Sequence, residues 1–426
     1  MTDGERRAAA VGAVEAGVAA ADPALAAREA VTVEGDSLVV GEHSLALSAF
    51  DRVVVAGGGK AAAAVARGLG AVLGERVDGG LVVTDGDADA PVEVAVGDHP
   101  LPGEPNVAAA ERLLGVLDGA GERTLVLAPV TGGASALLAA PAGDLTLAEL
   151  RATTEALLAA GAAIDEINAV RKHVSAVKGG RLAERAAPAT VLALLVSDVV
   201  GDDPGTVGSG PFAPDHTTPA DALAVLDRYD LPLPAVRDHL DTAAAASPAP
   251  DAAAFDRVHT VLLATNRTAV DAAAEAARQA GYEPLVLSTT TRGEARELAL
   301  ALVAVAEECL AADRPVAPPA ALLAGGEATV TVRGDGRGGP NQELALAAAL
   351  ELPEKVTLAS VDTDGRDGGT DAAGGVVDSG TVDDPGAARA ALADNDAYTY
   401  LDARDALVHT GGGTNVNDLR VVLVEG

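Results

Sequence analysis

The chain has 426 residues, 49% hydrophobic but only 2% aromatic, and a formal net charge of −33. That length allows two or three domains, each with a proper core. The charge leaves no basic patch to neutralise phosphates, so neither nucleic acid nor an anionic membrane is an expected partner.

The single cysteine, Cys309, excludes a disulfide framework and sits in a helical stretch where packing is its expected role. No run of 18 apolar residues and no signal-peptide pattern occurs, and Met1–Arg7 leads into an amphipathic helix, so the expected location is cytoplasmic. The acids are spread through periodic apolar segments rather than gathered in a tail. Dispersed acid, few lysines and small Ala/Val cores fit a protein from a salt-accumulating halophile, where screening blunts self-repulsion.

Taken in chain order, residues 4–21 read as a helix ended by Asp22-Pro23, and 30–41 as a hairpin turning at Gly35-Asp36. RVVVAGGGKAAAAV (52–65) follows: a short buried strand, a turn of Gly57, Gly58 and Gly59, then Lys60 at the start of an alanine-rich helix. Exposed N–H groups and the helix dipole favour an anion at such a turn. Lys60 is one of only four lysines against twenty-six arginines, so surface filler is a poor explanation for it. A strand at 81–86, a third strand breaking into a Pro/Gly loop over 93–105, and a helix at 106–117 come next. TLVLAPVTGGASALL (124–138) then repeats the design of strand, glycine turn (Gly132, Gly133) and helix start, with Ser135 at that start.

A polar helical stretch (163–186) precedes a buried strand that opens into the acidic loop of Asp198, Asp202 and Asp203 beside Gly208-Ser209-Gly210. SPAPDAAAF (247–255) is the expected domain boundary. The second half restarts with strand, helix, strand and a long helix to Ala312. Residues 320–350 read as a strand pair, a glycine-rich loop and a helix, and 356–378 as a strand feeding an acidic loop. A final strand ends the chain. Strands alternating with helices predict an α/β fold with a mainly parallel sheet.

Four loop groups leave strand C-termini, where open α/β sheets bind ligands. The first two are anion cradles around Lys60 and Ser135, and the third is the Asp198 loop. The fourth holds Arg333, Arg337, Asn341 and Glu343, then Asp362, Asp364, Arg366, Asp367, Thr370 and Asp371. Glycine loops with Lys and Arg suit a polyphosphate, and clustered carboxylates suit the Mg²⁺ carried with it. Asp-Gly pairs are equally ordinary turn chemistry. Ser135 is either a nucleophile or a hydroxyl that binds a carboxylate or caps the helix. TGGAS is not a GxSxG elbow, and no His–Asp partnership can be assigned.

Several stretches together resemble the ATP-dependent glycerate 2-kinases with a C-terminal MOFRL domain. They are VVVAGGGKAA, GDHPLPGEPN, TGGASALL, INAVRKHVSAVKGGRLA, VSDVVGDDPGTVGSGP, LLAGGEATVTVRGDGRGGPNQELALA, DTDGRDGGTDAAGG and TNVNDL. One departure is the glycine-only turn of HTGGGTNVNDL, where a Pro-containing one is more usual. The resemblance implies a Rossmann-like N-terminal domain with a mainly parallel sheet (1–245), a smaller mixed α/β C-terminal domain (246–426), and an active site in the cleft between them. The implied reaction is ATP plus D-glycerate giving 2-phosphoglycerate and ADP, by a monomer or homodimer. Lys60, Asp198, Arg337 and Asp364 stand where catalytic residues of the family would fall. On this reading Arg171 or Lys172, with Ser135, holds the glycerate carboxylate, and Asp198 orients or deprotonates the 2-hydroxyl. Lys60 and Arg337 neutralise the transferring phosphoryl, while Asp364 and Asp367 hold Mg²⁺.

Two other classes remain open from the residues: an NAD(P)-dependent hydroxypyruvate reductase with Asp85 as the ribose-binding acid, and a non-catalytic sugar-phosphate sensor using the same loops.

Overall fold

Residues 2–426 are described by a computed structural model. They divide into two compact units, Pro23–Leu263 and residues 2–22 with Ala264–Gly426. Helix α1 (Asp3–Ala20) opens the chain with a capping box between Thr2 and Glu5. Its apolar face packs on elements of the C-terminal half, not on those that follow it. Gly17 makes that approach possible, because a Cβ there would press into the Ala269 carbonyl and the Leu419 side chain.

The first unit begins with α2 (Pro23–Ala30) and a small antiparallel sheet of β1 (Val31–Glu34), β2 (Ser37–Val40) and β3 (His43–Ala46). Then come β4 (Arg52–Gly58), α3 (Ala62–Leu73), β5 (Gly79–Thr84), β6 (Glu93–Val96), α4 (Glu104–Asp118), β7 (Thr124–Thr131) and the short α5 (Ala134–Leu137). Helices α6 (Leu147–Ala159), α7 (Ile164–His173) and α8 (Arg181–Ala186) lead to β8 (Thr190–Val196). The unit finishes with α9 (Pro219–Arg228), α10 (Pro234–Leu240) and β9 (Val258–Ala264). The main sheet has six strands in the order β6-β5-β4-β7-β8-β9, and its ladders from β6 to β8 are parallel. Its middle strands are near-continuous apolar runs because helices cover both faces.

The boundary expected at 245/246 falls instead at 263/264. SPAPDAAAF is no free linker: Arg181 donates to the carbonyls of Ala245 (2.8 Å) and Ala246 (3.0 Å), and the Ser247 hydroxyl donates to Asp215 (2.7 Å). The chain then runs on into β9, the sixth strand of the first sheet.

The second unit contains α11 (Asn266–Gln279), β10 (Glu283–Glu294), α12 (Ala295–Ala312), β11 (Ala320–Thr329), α13 (Pro340–Ala349), β12 (Val356–Asp362) and β13 (Gly374–Asp378). Helices α14 (Pro385–Ala393) and α15 (Ala397–Asp402), then β14 (Leu407–Val408) and β15 (Asp418–Val424), complete it. Its sheet is mixed, in the order β10-β11-β15-β12-β13-β14, and only β10 and β11 pair in parallel. The strand pair expected after 320 is one long strand, β11, which bonds to β10 and β15 on either side. Cys309 is fully buried in the α12–α13 core, as a packing residue. Among the described residues no single helix is long and apolar enough to cross a membrane.

Candidate active site

Strand order places the site of the first unit. From β4 the chain moves outward to β5 and β6, and from β7 it moves the other way to β8. The crevice outside the C-termini of β4 and β7 is therefore the topological switch point, where open α/β sheets take ligands. The two glycine turns singled out from sequence are the loops that leave these two strands.

They do different things. Gly57 and Gly58 are strand residues of β4, not turn residues. A Cβ on Gly57 would collide with the Pro129 carbonyl of β7, so glycine here serves close strand packing. The turn proper starts at Gly59, whose φ of +131° suits only glycine. Its amides are consumed internally: Gly59 donates to Val83 (2.9 Å), Lys60 to Gly132 (2.9 Å), Ala61 to the Thr131 hydroxyl (3.1 Å) and Ala62 to Gly59 (3.0 Å). The first turn is thus no amide cradle, and what it offers is the exposed Lys60 side chain. In the second turn the N–H groups of Gly132, Gly133, Ala134 and Ser135 find no acceptor among the described residues, so the anion-receptive backbone is here.

Asp198, just after β8, lies against Gly132, where any Cβ would strike its carboxylate. Burial raises its pKa, while its own backbone amide and the nearby Lys60 ammonium pull it down. Lys60 and His99 flank Gly133 from the other side. Burial and then the Lys60 charge lower the His99 pKa, favouring its neutral form. The Ser135 hydroxyl lies 2.9 Å from that of Ser209, which donates to Asn168 (2.9 Å). Its bonded partner is therefore a hydroxyl and not a histidine, which removes the support for a triad nucleophile. Gly208, Ser209 and Gly210 form a tight left-handed turn behind Ser135, and their carbonyls hold the Gly179-Gly180 turn.

A cavity of about 320 Å³ opens beside these groups, with His99, Gly133, Ser135, Arg171 and Lys178 in its wall. No carboxylate lines it. Arg171 has no acceptor among the described residues, and burial lowers its pKa. Lys178 is buried and donates to the Leu138 carbonyl (2.5 Å). Desolvation and the neighbouring Arg171 charge lower its pKa to about 7. Lys172 does not reach this wall. It forms a buried ion pair with Asp215 (3.2 Å), a carboxylate also held by Thr217 and Ser247. Lys178 is the lysine in this wall, and both lysines belong to the stretch KHVSAVKGG.

In the second unit the candidates separate. Asp367 is fully buried and spends both oxygens on the start of α13: Oδ1 accepts from the Asn341 backbone (3.0 Å) and side chain (3.2 Å), Oδ2 from Gln342 N–H (2.7 Å). Burial nevertheless pushes its pKa up to about 7. Asn341 also donates to Asp418 (2.7 Å) and accepts from Ser360 (2.6 Å), while Glu343 pairs with Arg296 (2.6 Å) and accepts from Asn395 (3.0 Å). These are satisfied members of a polar core, with no capacity left for a phosphate. Arg337 is different. It is exposed and stacks on the Tyr398 ring at 4.4 Å, and the Tyr398 hydroxyl donates to Asp371 (2.8 Å).

For a metal, no cluster of three or more His, Cys, Asp or Glu converges among the described residues. A Mg²⁺ carried on phosphates needs only one or two protein carboxylates. Asp362 and Asp364 fit that need: Asp362 accepts from the Asp364 amide (3.0 Å), and burial with the charges of Asp364 and Asp418 raises its pKa. Asp367 fits less well, because both its oxygens are engaged by the start of α13.

Residues 9–241 match a domain family described as a domain of unknown function (DUF4147), and residues 320–418 match the MOFRL family. The D-glycerate 2-kinase of Thermotoga maritima is 40% identical over 389 residues, covering 88% of this chain and 91% of the relative. An Agrobacterium vitis protein provisionally named hydroxypyruvate reductase is also 40% identical, covering 93% of this chain and 92% of that one. The crystal structure of glycerate kinase from Thermotoga maritima superposes with a TM-score of 0.87 at 37% identity, over 98% of this chain and 99% of that one. Matching in domain content, in sequence over most of its length and in fold, this chain belongs to the glycerate 2-kinase family with DUF4147 and MOFRL domains.

Proposed function

We infer that the protein is a glycerate 2-kinase, passing the γ-phosphoryl group of ATP to the 2-hydroxyl of D-glycerate. The observation that carries this reading is the carboxylate-free pocket at the switch point, with Arg171, Lys178 and four unbonded amides beside Asp198 and Lys60. A small hydroxy acid needs that arrangement: cations and N–H groups for its carboxylate, and a base for its hydroxyl.

The glycerate carboxylate rests on Arg171 and Lys178, with the Ser135 hydroxyl as an additional donor. Asp198 takes the proton as the 2-hydroxyl oxygen bonds to the γ-phosphorus and the bond to the bridging β-oxygen breaks. Its burial-raised pKa makes it a stronger base than a solvated carboxylate. Lys60 neutralises charge on the transferring group. Arg337 and Asp364 are proposed to act on the ATP phosphates, Asp364 together with Asp362 as ligands of Mg²⁺. When bound, the ion would neutralise phosphate charge.

Coupled ADP release with ATP and D-glycerate, followed by phosphorus NMR of the product, tests the reading. A 3-phosphoglycerate product or no turnover would refute it. The reductase alternative is supported only by the names of some relatives. A dinucleotide pyrophosphate would need the Gly59–Ala62 amides, which are spent. NADH oxidation by hydroxypyruvate is expected to be absent.

A further inference from the structure

Glycerate does not account for the whole pocket. Its volume of about 320 Å³ lies in the range that encloses drug-sized ligands, about 300–1,000 Å³. Its two cations are Arg171 and Lys178. Much of the remaining wall is apolar (Pro100, Leu101, Pro102, Leu150, Leu158 and Val174), alongside the His99 ring and the Ser135 and Thr154 hydroxyls. Leu101 and Leu158 keep 37% and 56% of their surface in solvent, among the more exposed large apolar side chains of the described residues. Glycerate ends in a hydroxymethyl group and presents nothing that this wall could desolvate. A ligand that uses both the cations and the leucines has a carboxylate and an alkyl group.

We propose that this pocket binds 2-hydroxy acids carrying a branched alkyl chain, with the carboxylate on Arg171 and Lys178 and the chain against Leu101, Leu150 and Leu158. The assignment rests on the carboxylate site inferred above, and it makes such acids competitors of glycerate. Discrimination comes from buried carbon alone. Lactate and 2-hydroxy-4-methylpentanoate share the carboxylate and 2-hydroxyl and differ by an alkyl extension, and each methylene buried on the leucines strengthens binding by several-fold.

The two acids are titrated calorimetrically into the full chain without nucleotide, and glycerate phosphorylation is assayed on the same preparation. The branched acid is expected to bind at least about tenfold tighter than lactate. In Leu158→Asp and Leu101→Asp, both at solvent-facing positions, that ratio should fall toward one. Equal or weaker binding of the branched acid overturns the proposal, and if glycerate is phosphorylated the kinase reading survives it. A tenfold ratio untouched by either leucine variant also overturns it, because the chain then sits elsewhere. Tight binding lost in the leucine variants, without glycerate turnover, upholds the pocket and removes the kinase reading instead.

Discussion

Lys178 is a lysine that burial holds close to neutrality, with the neighbouring Arg171 charge adding to the effect. Because its folded pKa lies near 7, below that of the free side chain, the unfolded chain binds more protons between about pH 7 and 10. This group therefore costs stability below pH 7 and costs progressively less as pH rises through that window. A carboxylate bound beside the amine reverses the balance and draws a proton in. Calorimetry of glycerate binding at pH 8, in buffers of different ionisation enthalpy, should show net proton uptake, and Lys178→Met should abolish it. Lys60 has the opposite setting, exposed at the lip of a turn whose amides are all spent. Lys60→Ala should therefore act on rate rather than folding, lowering kcat/KM by about 2–4 kcal/mol in transition-state terms, as for a lost oxyanion donor. Near-normal turnover would remove it from the mechanism.

At the scale of elements, the strand ends set the spacing between the groups proposed for catalysis. Gly132 follows β7 and Asp198 follows β8, and the two touch only because Gly132 has no side chain. Gly132→Ala should push the carboxylate away while leaving the parallel ladder intact. The expected result is a fall in kcat of about 10²-fold or more, the contribution of a positioned base, with little change in melting temperature. A large loss of stability would mean instead that Gly132 is needed for the sheet. In the second unit, helix α13 begins on Asp367, which accepts its first amides as a capping residue does. Asp367→Ala should lower unfolding free energy by about 1–3 kcal/mol in urea, since three donors lose their acceptor. Asp364→Ala should leave stability nearly unchanged and weaken ATP-dependent turnover. Reversed outcomes would return Asp367 to the metal-ligand role first expected of it.

At the scale of the whole molecule, 63 acidic residues stand against 30 basic ones. Many visible ion pairs are exposed arginine–carboxylate contacts such as Arg123–Asp51 (2.7 Å), which salt weakens and which contribute little in water. Unpaired acids outnumber them, so relief of self-repulsion should dominate the salt response. Thermal unfolding followed from dilute buffer into molar KCl should shift to higher temperature, and activity should rise with it. A flat or falling melting temperature would show that the acid load is not a salt adaptation.

Much of this was legible in the residues. The apolar runs of β4, β7 and β8 and the glycine turns after them follow from local patterning, because a buried parallel strand leaves its mark in consecutive residues. Lys60, Ser135, Asp198 and Arg171 stood out as candidates for the same reason, as polar groups at strand ends or in an unusually polar helix. What escaped depends on partners distant in sequence. Periodicity shows that α1 has an apolar face but not that Ala269 and Leu419 lie against it. Lys172 and Lys178 are alike in sequence, and only the fold pairs one with Asp215 and leaves the other in the pocket wall. Asp367, Asn341 and Glu343 look like ligand-binding groups until the tertiary structure fills their hydrogen-bonding capacity. Local sequence determined which elements form and which carry chemistry. Long-range packing decided which polar groups are satisfied, and a polar group is free to bind a ligand only when the fold has not already satisfied it.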